Sequence, residues 1–155
     1  MNYFSHHTSI IDDGAIIGEG TKIWHFTHIS EKANVGKNVT IGQNCFIDNN
    51  VCIGDNCKIQ NNVSIYDGVT IKNNVFIGPS VVFTNDLYPK AIHANGWVKS
   101  KTIIENNVSI GANSTIVCNN TIHENSLIGA GSVVTKNIPK NYLAYGNPVR
   151  LIKKI

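Results

Sequence analysis

Apolar side chains recur at every sixth position over the first half of the chain: Ile11, Ile17, Ile23, Ile29, Val35, Ile41, Ile47, Ile53, Ile59, Ile65, Ile71, Ile77 and Phe83. The series resumes in a new register at Ile104, Ile110, Ile116, Ile122, Ile128 and Val134. Four residues after each stands a second slot that is usually small or β-branched, as at Ala15, Thr21, Thr27, Ala33, Val39, Cys45, Val51, Cys57 and Val63. In an extended segment residues two apart face the same way, so each small residue and the aliphatic two later point into one core. Three residues after the aliphatic comes Gly or Asn in fifteen of the eighteen hexads. These are the residues that reach positive φ at least cost. The hexad is therefore a short strand followed by a bend, and a repeat of this kind sets the architecture.

Three hexads per turn would close a triangular prism in which residues eighteen apart stack, Ile23 under Ile41, Ile59 and Ile77. The spacing alone fixes neither the three sides nor the hand, and the general crossover rule favours a right-handed turn. Eighteen hexads predict six coils, a column of about 29 Å at roughly 4.8 Å per coil. So thin a core predicts that the outer faces pack against other subunits.

The 155 residues, 42% of them apolar, read as a single domain over 1–155. The net charge of +3 is mild, and basic residues gather late, at Lys136, Lys140, Arg150, Lys153 and Lys154. With no long basic stripe and no aromatic stacking motif of the RNA-binding kind, a phosphorylated small ligand is favoured over nucleic acid. No N-terminal apolar stretch resembles a signal peptide and no run approaches a membrane span, so the cytoplasm is the expected location. Cys45 and Cys57 fall in the inward slot, while Cys52 and Cys118 lie in variable slots without CxxC spacing. They read as four reduced, structural cysteines, the inward thiols acting as small hydrophobes.

Function must lie where the hexads break. Trp24-His25-Phe26-Thr27-His28 places an indole and a phenyl ring in bend positions where Gly or Asn is common. Such a bend is strained unless its side chains have other work. Its aromatic surface and His25 suit a sugar or a base; packing at the N-terminal end would use the same residues. Tyr66-Asp67-Gly68 would sit beneath Thr84-Asn85, bringing Asp67 and Asn85 to one edge. From Asn85 to Thr102 the pattern vanishes and the register shifts by twenty-one residues, not a multiple of six. An extended loop over 85–102, thrown from a rigid column, is where function concentrates, unless it serves only as a packing arm. The last break is a C-terminal tail over 139–155, where Pro139 and Pro148 end the repeat because neither donates a ladder hydrogen bond.

Four segments read together, Ile23 to Phe26, Gln60 to Val69, Gly78 to Asp86 and Gly146-Asn147-Pro148-Val149-Arg150, carry a resemblance over most of the chain. The protein resembles the hexapeptide-repeat acyltransferases, and among them the N-acetyltransferases of nucleotide-linked 3-amino sugars of the dTDP-3-amino-3,6-dideoxyhexose and UDP-3-amino uronate types. The resemblance implies an all-β, left-handed parallel β-helix, a homotrimer, and acetyl-CoA as donor in the cleft between subunits near the C-terminal coils. Gly111, Ala112, Gly129 and Ala130 would let the pantetheine arm approach the backbone. Lys136 and Arg150 would meet the coenzyme A phosphates, with Asn147 and Pro148 in the shared closing motif. Trp24, Tyr66, Asp67 and Thr84 would bind a nucleotide-diphosphate amino sugar, Asn85 or Asp86 would hold its amine, and His25 would be a partner or base. No metal is expected.

The sugar O-acetyltransferases of the superfamily carry a histidine followed by proline in the loop, as the base for a hydroxyl. Here that stretch reads Thr84-Asn85-Asp86-Leu87. A hydroxyl needs a general base, whereas a neutral amine attacks a thioester unaided once it is deprotonated and oriented. A backbone N–H would stabilise the tetrahedral oxyanion. His6, His7 and His123 read as structural. The alternatives are an acetyltransferase for a free sugar or another acceptor, which with a hydroxyl would make His25 or His93 indispensable, and a non-catalytic β-helix. A zinc site of the carbonic-anhydrase type would need three of His25, His28, His93 and His123 at a subunit interface, and none shows ligand spacing.

Overall fold

The computed structural model describes residues 2–92 and 96–155. Among them there is no helix, and so none long and apolar enough to cross a membrane. Short strands form three sheets, and from Phe4–Ser5 through Thr115–Ile116 each strand pairs in parallel with the third strand after it, which makes the sheets the sides of a solenoid. The first sheet has nine strands: Phe4–Ser5, Lys22–Ile23, Thr40–Ile41, Lys58–Ile59, Phe76–Ile77, Ser109–Ile110, Leu127–Ile128, Tyr142–Tyr145 and Arg150–Lys154. The second sheet runs from Ile10–Ile11 to Val133–Val134, and the third from Ile16–Ile17 to Thr121–Ile122. Ile59 pairs with Ile41 on one side and Ile77 on the other, the eighteen-residue stacking that the hexads imply. The aliphatic slots from Ile23 to Val134 are all buried along the axis.

The column is longer than six coils. Its first sheet stacks eight parallel rungs before the antiparallel strand Arg150–Lys154. An extra N-terminal coil starts at Phe4, hidden from the pattern because Ser5 occupies the slot that pairs with Ile23. At the other end Ala144 pairs with Ile128, sixteen residues away, so counting in eighteens misses this rung. Pro139 thus ends the hexads but not the column. Ala144 and Val149 are buried, and residues 142–154 form a hairpin on the first sheet rather than a loose tail.

The bends explain the preference for asparagine over glycine. Sixteen of the eighteen bend positions have positive φ, and even Phe26 (φ 57°) and Ser80 (φ 58°) adopt it; Lys32 and Asn137 do not. Along one corner the asparagine amides bond from coil to coil, Asn38 to Asn56, Asn74, Asn107, Asn125 and Asn141, at 2.9–3.4 Å. Asparagine both makes the turn and ties it to the next. The inward slot has a similar use. Thr27 Oγ1 donates to the Gly42 carbonyl at 2.8 Å, and Cys45 and Cys57 Sγ donate to the Gln60 and Lys72 carbonyls at 3.1 and 3.0 Å. Burial pushes both thiols up, which keeps them protonated as donors. They are braces between coils as well as small hydrophobes, and all four cysteines are free.

The loop leaves the column between the second and third sheets, and the third sheet continues across it. Val69 pairs with Thr102, thirty-three residues on rather than eighteen, so fifteen residues are extruded. Leu87, Tyr88, Ile92, Trp97 and Val98 lie exposed on this segment.

Candidate functional site

The corner between the second and third sheets carries Tyr66, Asp67 and Gly68 on one coil and Thr84 and Asn85 on the next. Asp67 is held on every side. Its Oδ1 lies 2.9 Å from Lys99 Nζ and its Oδ2 accepts from Asn50 Nδ2 at 3.1 Å. Its backbone N–H donates to Asp48 Oδ2 at 3.2 Å, and its carbonyl accepts from Asn85 Nδ2 at 3.4 Å. Burial alone would raise this carboxyl. The Lys99 ammonium, the Asn50 amide and the Gly68 N–H outweigh it and hold Asp67 below the ordinary aspartate range.

The neighbouring residues are anchored too. The Asn85 carbonyl accepts the Ser100 N–H at 3.2 Å, which closes the base of the loop. Thr84 Oγ1 accepts the Cys118 N–H at 2.9 Å and so braces the coil above. Asp86 Oδ1 accepts the Tyr88 N–H at 2.8 Å, setting the first bend of the loop. Tyr66 meets Phe46 edge-on at 5.9 Å, Phe46 meets His28 at 5.5 Å, and His28 Nε2 lies 3.0 Å from Asp12 Oδ2. These side chains form an aromatic strip down the outside of the second sheet. Beside them a depression of about 320 Å³ is lined by Asn50, Asp67, Gly68, Thr70, Lys99, Lys101 and Ile103. It sets one carboxylate among two lysines, a place that can sort ligands by charge.

A different corner, between the first and second sheets, carries Trp24, His25 and Phe26. His25 stacks on His6 with ring centroids 3.5 Å apart, His7 lies 4.3 Å from His6, and Trp24 runs nearly parallel to His25 at 6.2 Å. The positive-φ turn at Phe26 is supported by its N–H to Thr8 Oγ1 at 3.0 Å, and Ser9 Oγ donates to the Trp24 carbonyl at 2.6 Å. Partial desolvation, then the imidazoles of His25 and His7, lower the His6 pKa, so that ring stays neutral at neutral pH. His6 and His7 therefore belong to the same group as His25. The signal was present, since His7 and His25 are eighteen residues apart, but the first coil lacks the aliphatic that would have marked it.

A single chain does not bring His25 to Asn85 and Asp86, because they stand on different corners and different coils. Gly111, Ala112, Gly129 and Ala130 share the His25 corner several coils further along. A Cβ on Gly111 would lie 2.5 Å from the Ala130 nitrogen, and one on Gly129 would lie 2.8 Å from Tyr145 Cβ, so the stacking of coils itself demands glycine there. Lys136, Asn147, Pro148 and Arg150 are all exposed at the C-terminal end of the column. His93 lies outside the described residues. Among those described, no three His, Cys, Asp or Glu side chains converge as a metal-holding group.

The third corner holds residues that the hexads did not single out. Glu105 lies 3.3 Å from Lys72 Nζ and 3.1 Å from His123 Nδ1, at the edge of a depression also lined by Glu124, Asn137, Pro139 and Lys140. Desolvation raises this carboxyl, but its bonds to His123, the Glu124 N–H and Lys72 outweigh that and hold it below the usual glutamate range. A depressed carboxylate contributes stability above its unfolded pKa and loses it as the pH falls through the folded one. Glu105→Gln is accordingly expected to destabilise by about 1 kcal/mol or less near pH 7, with the difference from wild type vanishing near pH 3. Thermal melts at the two pH values check this; an equal gap at both would exclude the network as its cause.

The chain matches the bacterial transferase hexapeptide (six repeats) family over residues 14–49, 50–85 and 101–136. It is 53% identical over 150 residues, covering 96% of this chain and 76% of the relative, to the dTDP-3-amino-3,6-dideoxy-alpha-D-galactopyranose 3-N-acetyltransferase of Aneurinibacillus thermoaerophilus. Among solved structures it is similar to a maltose O-acetyltransferase from Clostridium difficile 630, with 35% identity and a TM-score of 0.66 over 76% of this chain and 66% of that one. PerB from Caulobacter crescentus, solved with CoA and GDP-perosamine, shares the fold at 16% identity and a TM-score of 0.60, over 97% of this chain and 57% of that one. The chain spans less than two thirds of the length of each of these two structures.

Proposed function

The chain belongs to the bacterial transferase hexapeptide family, and from that membership we propose an acetyl-CoA-dependent N-acetyltransferase acting on the 3-amino group of a dTDP-linked 3-amino-3,6-dideoxyhexose. The observation that carries this reading is the Asp67 corner: a fixed carboxylate whose backbone carbonyl is bonded by Asn85, which opens the stretch Asn85-Asp86-Leu87 without the histidine that a hydroxyl acceptor requires. The name of the relative that is 53% identical supports the acceptor class.

The acceptor arrives as an ammonium, which Asp67 attracts and Asn85 and Asp86 orient. After the ammonium loses one proton to water, the amine nitrogen attacks the thioester carbonyl; the C–N bond forms and the C–S bond breaks. Coenzyme A leaves as the thiolate and takes the second nitrogen proton, so no covalent enzyme intermediate is needed. Orientation supplies most of the acceleration. Tyr66, backed by Phe46, walls the sugar, and Thr84 fixes the coil beneath it. Gly111, Ala112, Gly129 and Ala130 line the path of the pantetheine arm, and Lys136, Asn147, Pro148 and Arg150 serve the phosphate end. The enzyme acts as a cytoplasmic homotrimer in which the exposed apolar side chains of the loop are covered by a neighbour. In that assembly Trp24 and His25 reach an acceptor only across the subunit interface.

A UDP-linked 3-amino uronate is the second reading, favoured by Lys101 in the same depression as Asp67, where a sugar carboxylate would find a cation. The test is thiol release from acetyl-CoA by the purified protein with the dTDP-linked amino sugar, the UDP-linked amino uronate and maltose as acceptors. Release is expected with the first. Release fastest with the second selects the uronate, and release with maltose alone, or with none, overturns the N-acetyltransferase reading.

A further inference from the structure

We propose that Lys99 is a place-holder cation, standing on Asp67 where the acceptor's ammonium will bind and returning there once acetylation has removed that charge. The proposal rests on the reading of Asp67 as the amine site. Three of the four polar groups of Asp67 are held by side chains of the column itself: Oδ2 by Asn50, the N–H by Asp48 and the carbonyl by Asn85. Only Oδ1 is partnered from the loop, by Lys99 Nζ at 2.9 Å. The carboxylate is therefore rigid while its cation is not. Lys99 sits on an exposed, strandless return segment beside Val98, which is 80% exposed, and it can swing out on its flexible stem without disturbing the column.

The exchange follows from charge. With Lys99 in place the Asp67 carboxylate is paired and oriented. An incoming ammonium offers the same charge and the same donors, and two ammonium groups crowded on one oxygen repel each other. Substrate binding thus replaces one ion pair with another of similar strength. Acetylation removes the charge, since the product nitrogen is a neutral amide. An amide cannot displace a tethered ammonium from Asp67, so Lys99 competes with the substrate and not with the product. A residue that merely latched the loop would affect both ligands alike.

The test compares wild type, Lys99→Met, Lys99→Arg and Asp67→Asn by calorimetric binding of dTDP-3-amino-3,6-dideoxygalactose and of its N-acetyl product. In Lys99→Met the amino sugar is expected to bind up to about fivefold more tightly, because it no longer displaces an ammonium, while the product changes by less than about twofold. Product inhibition of acetyl transfer should be little changed, and Lys99→Arg should restore the wild-type ratio of the two affinities. An unchanged ratio in Lys99→Met, or equal weakening of both ligands, overturns the proposal. Asp67→Asn separates the two layers of inference. If it leaves amino-sugar binding intact, the amine site has been misplaced; if it weakens that binding while Lys99→Met leaves the ratio unchanged, only the place-holder role is lost.

Discussion

Asn85→Ala is expected to lower kcat/KM for the nucleotide-linked amino sugar by about a hundredfold while leaving the fold intact, because the step it serves depends on orientation. The side chain of Asn85 donates to the Asp67 carbonyl on the coil below, and its backbone carbonyl receives the Ser100 N–H where the loop returns. The residue joins the rigid corner to the insertion, and Asp86 follows it directly into the loop. Truncation removes the amide that sets the height of this corner over Asp67 and frees the acceptor pocket to widen. A neutral amine needs no base, so misplacement is the whole loss, and a shift of about an ångström is enough for two orders of magnitude. Initial rates of thiol release measure the effect, with a thermal melt within a few degrees of wild type as the control. His25→Ala, measured alongside, should cost less than about tenfold if the acceptor is an amine. A greater loss at His25 than at Asn85 would mean that a base acts across the subunit interface, as a hydroxyl acceptor requires.

The hexads made the strand-and-bend unit legible because each aliphatic slot carries the same physical demand on every coil, and the three sides that the resemblance implies turned that unit into eighteen-residue stacking. Ile59 must meet Ile41 and Ile77, and the residue three later must turn. The same logic placed Asp67 beside Asn85, since both lie on the corner that residues eighteen apart share. It failed where a demand was met by an unexpected residue. Ser5 fills an aliphatic slot at the open end of the column, where there is less core to bury, and so the first coil and the stacking of His6 and His7 with His25 were hidden. Phe26 and Ser80 turn with positive φ although neither type favours it, because the coils on either side impose the bend. Lys99 was beyond reach for another reason. The path of a fifteen-residue insertion has no period, so nothing in the spacing could pair it with Asp67.

Ile59→Ala should destabilise the protein by about 4 kcal/mol, near the upper part of the range for such truncations. The size follows from how little the site can relax. Ile59 is fully buried, with Ile41 and Ile77 in register on either side. The separation of those neighbours is set not by side chains but by backbone bonds, Gly42 N–H to the Ile59 carbonyl at 2.8 Å and Gln60 N–H to the Ile77 carbonyl at 2.9 Å. The coils cannot close on the void without breaking this ladder, so the cavity persists and its full cost is felt. Its place in the column adds to the effect. A solenoid couples each coil only to its neighbours, and a defect in the middle weakens the link between two halves, whereas a defect at an end can be left to fray. Ile17→Ala, at a partly buried slot near the N-terminal end, is therefore expected to cost only about 1 kcal/mol. Urea unfolding of the two variants at one fixed protein concentration decides the matter, because any assembly linked to folding shifts the midpoint with concentration. A drop in midpoint for Ile59→Ala at least twice that for Ile17→Ala supports a column whose coils unfold as a coupled unit. Equal shifts would overturn this account, because neither the lower burial of Ile17 nor its place near the end would then have reduced the loss.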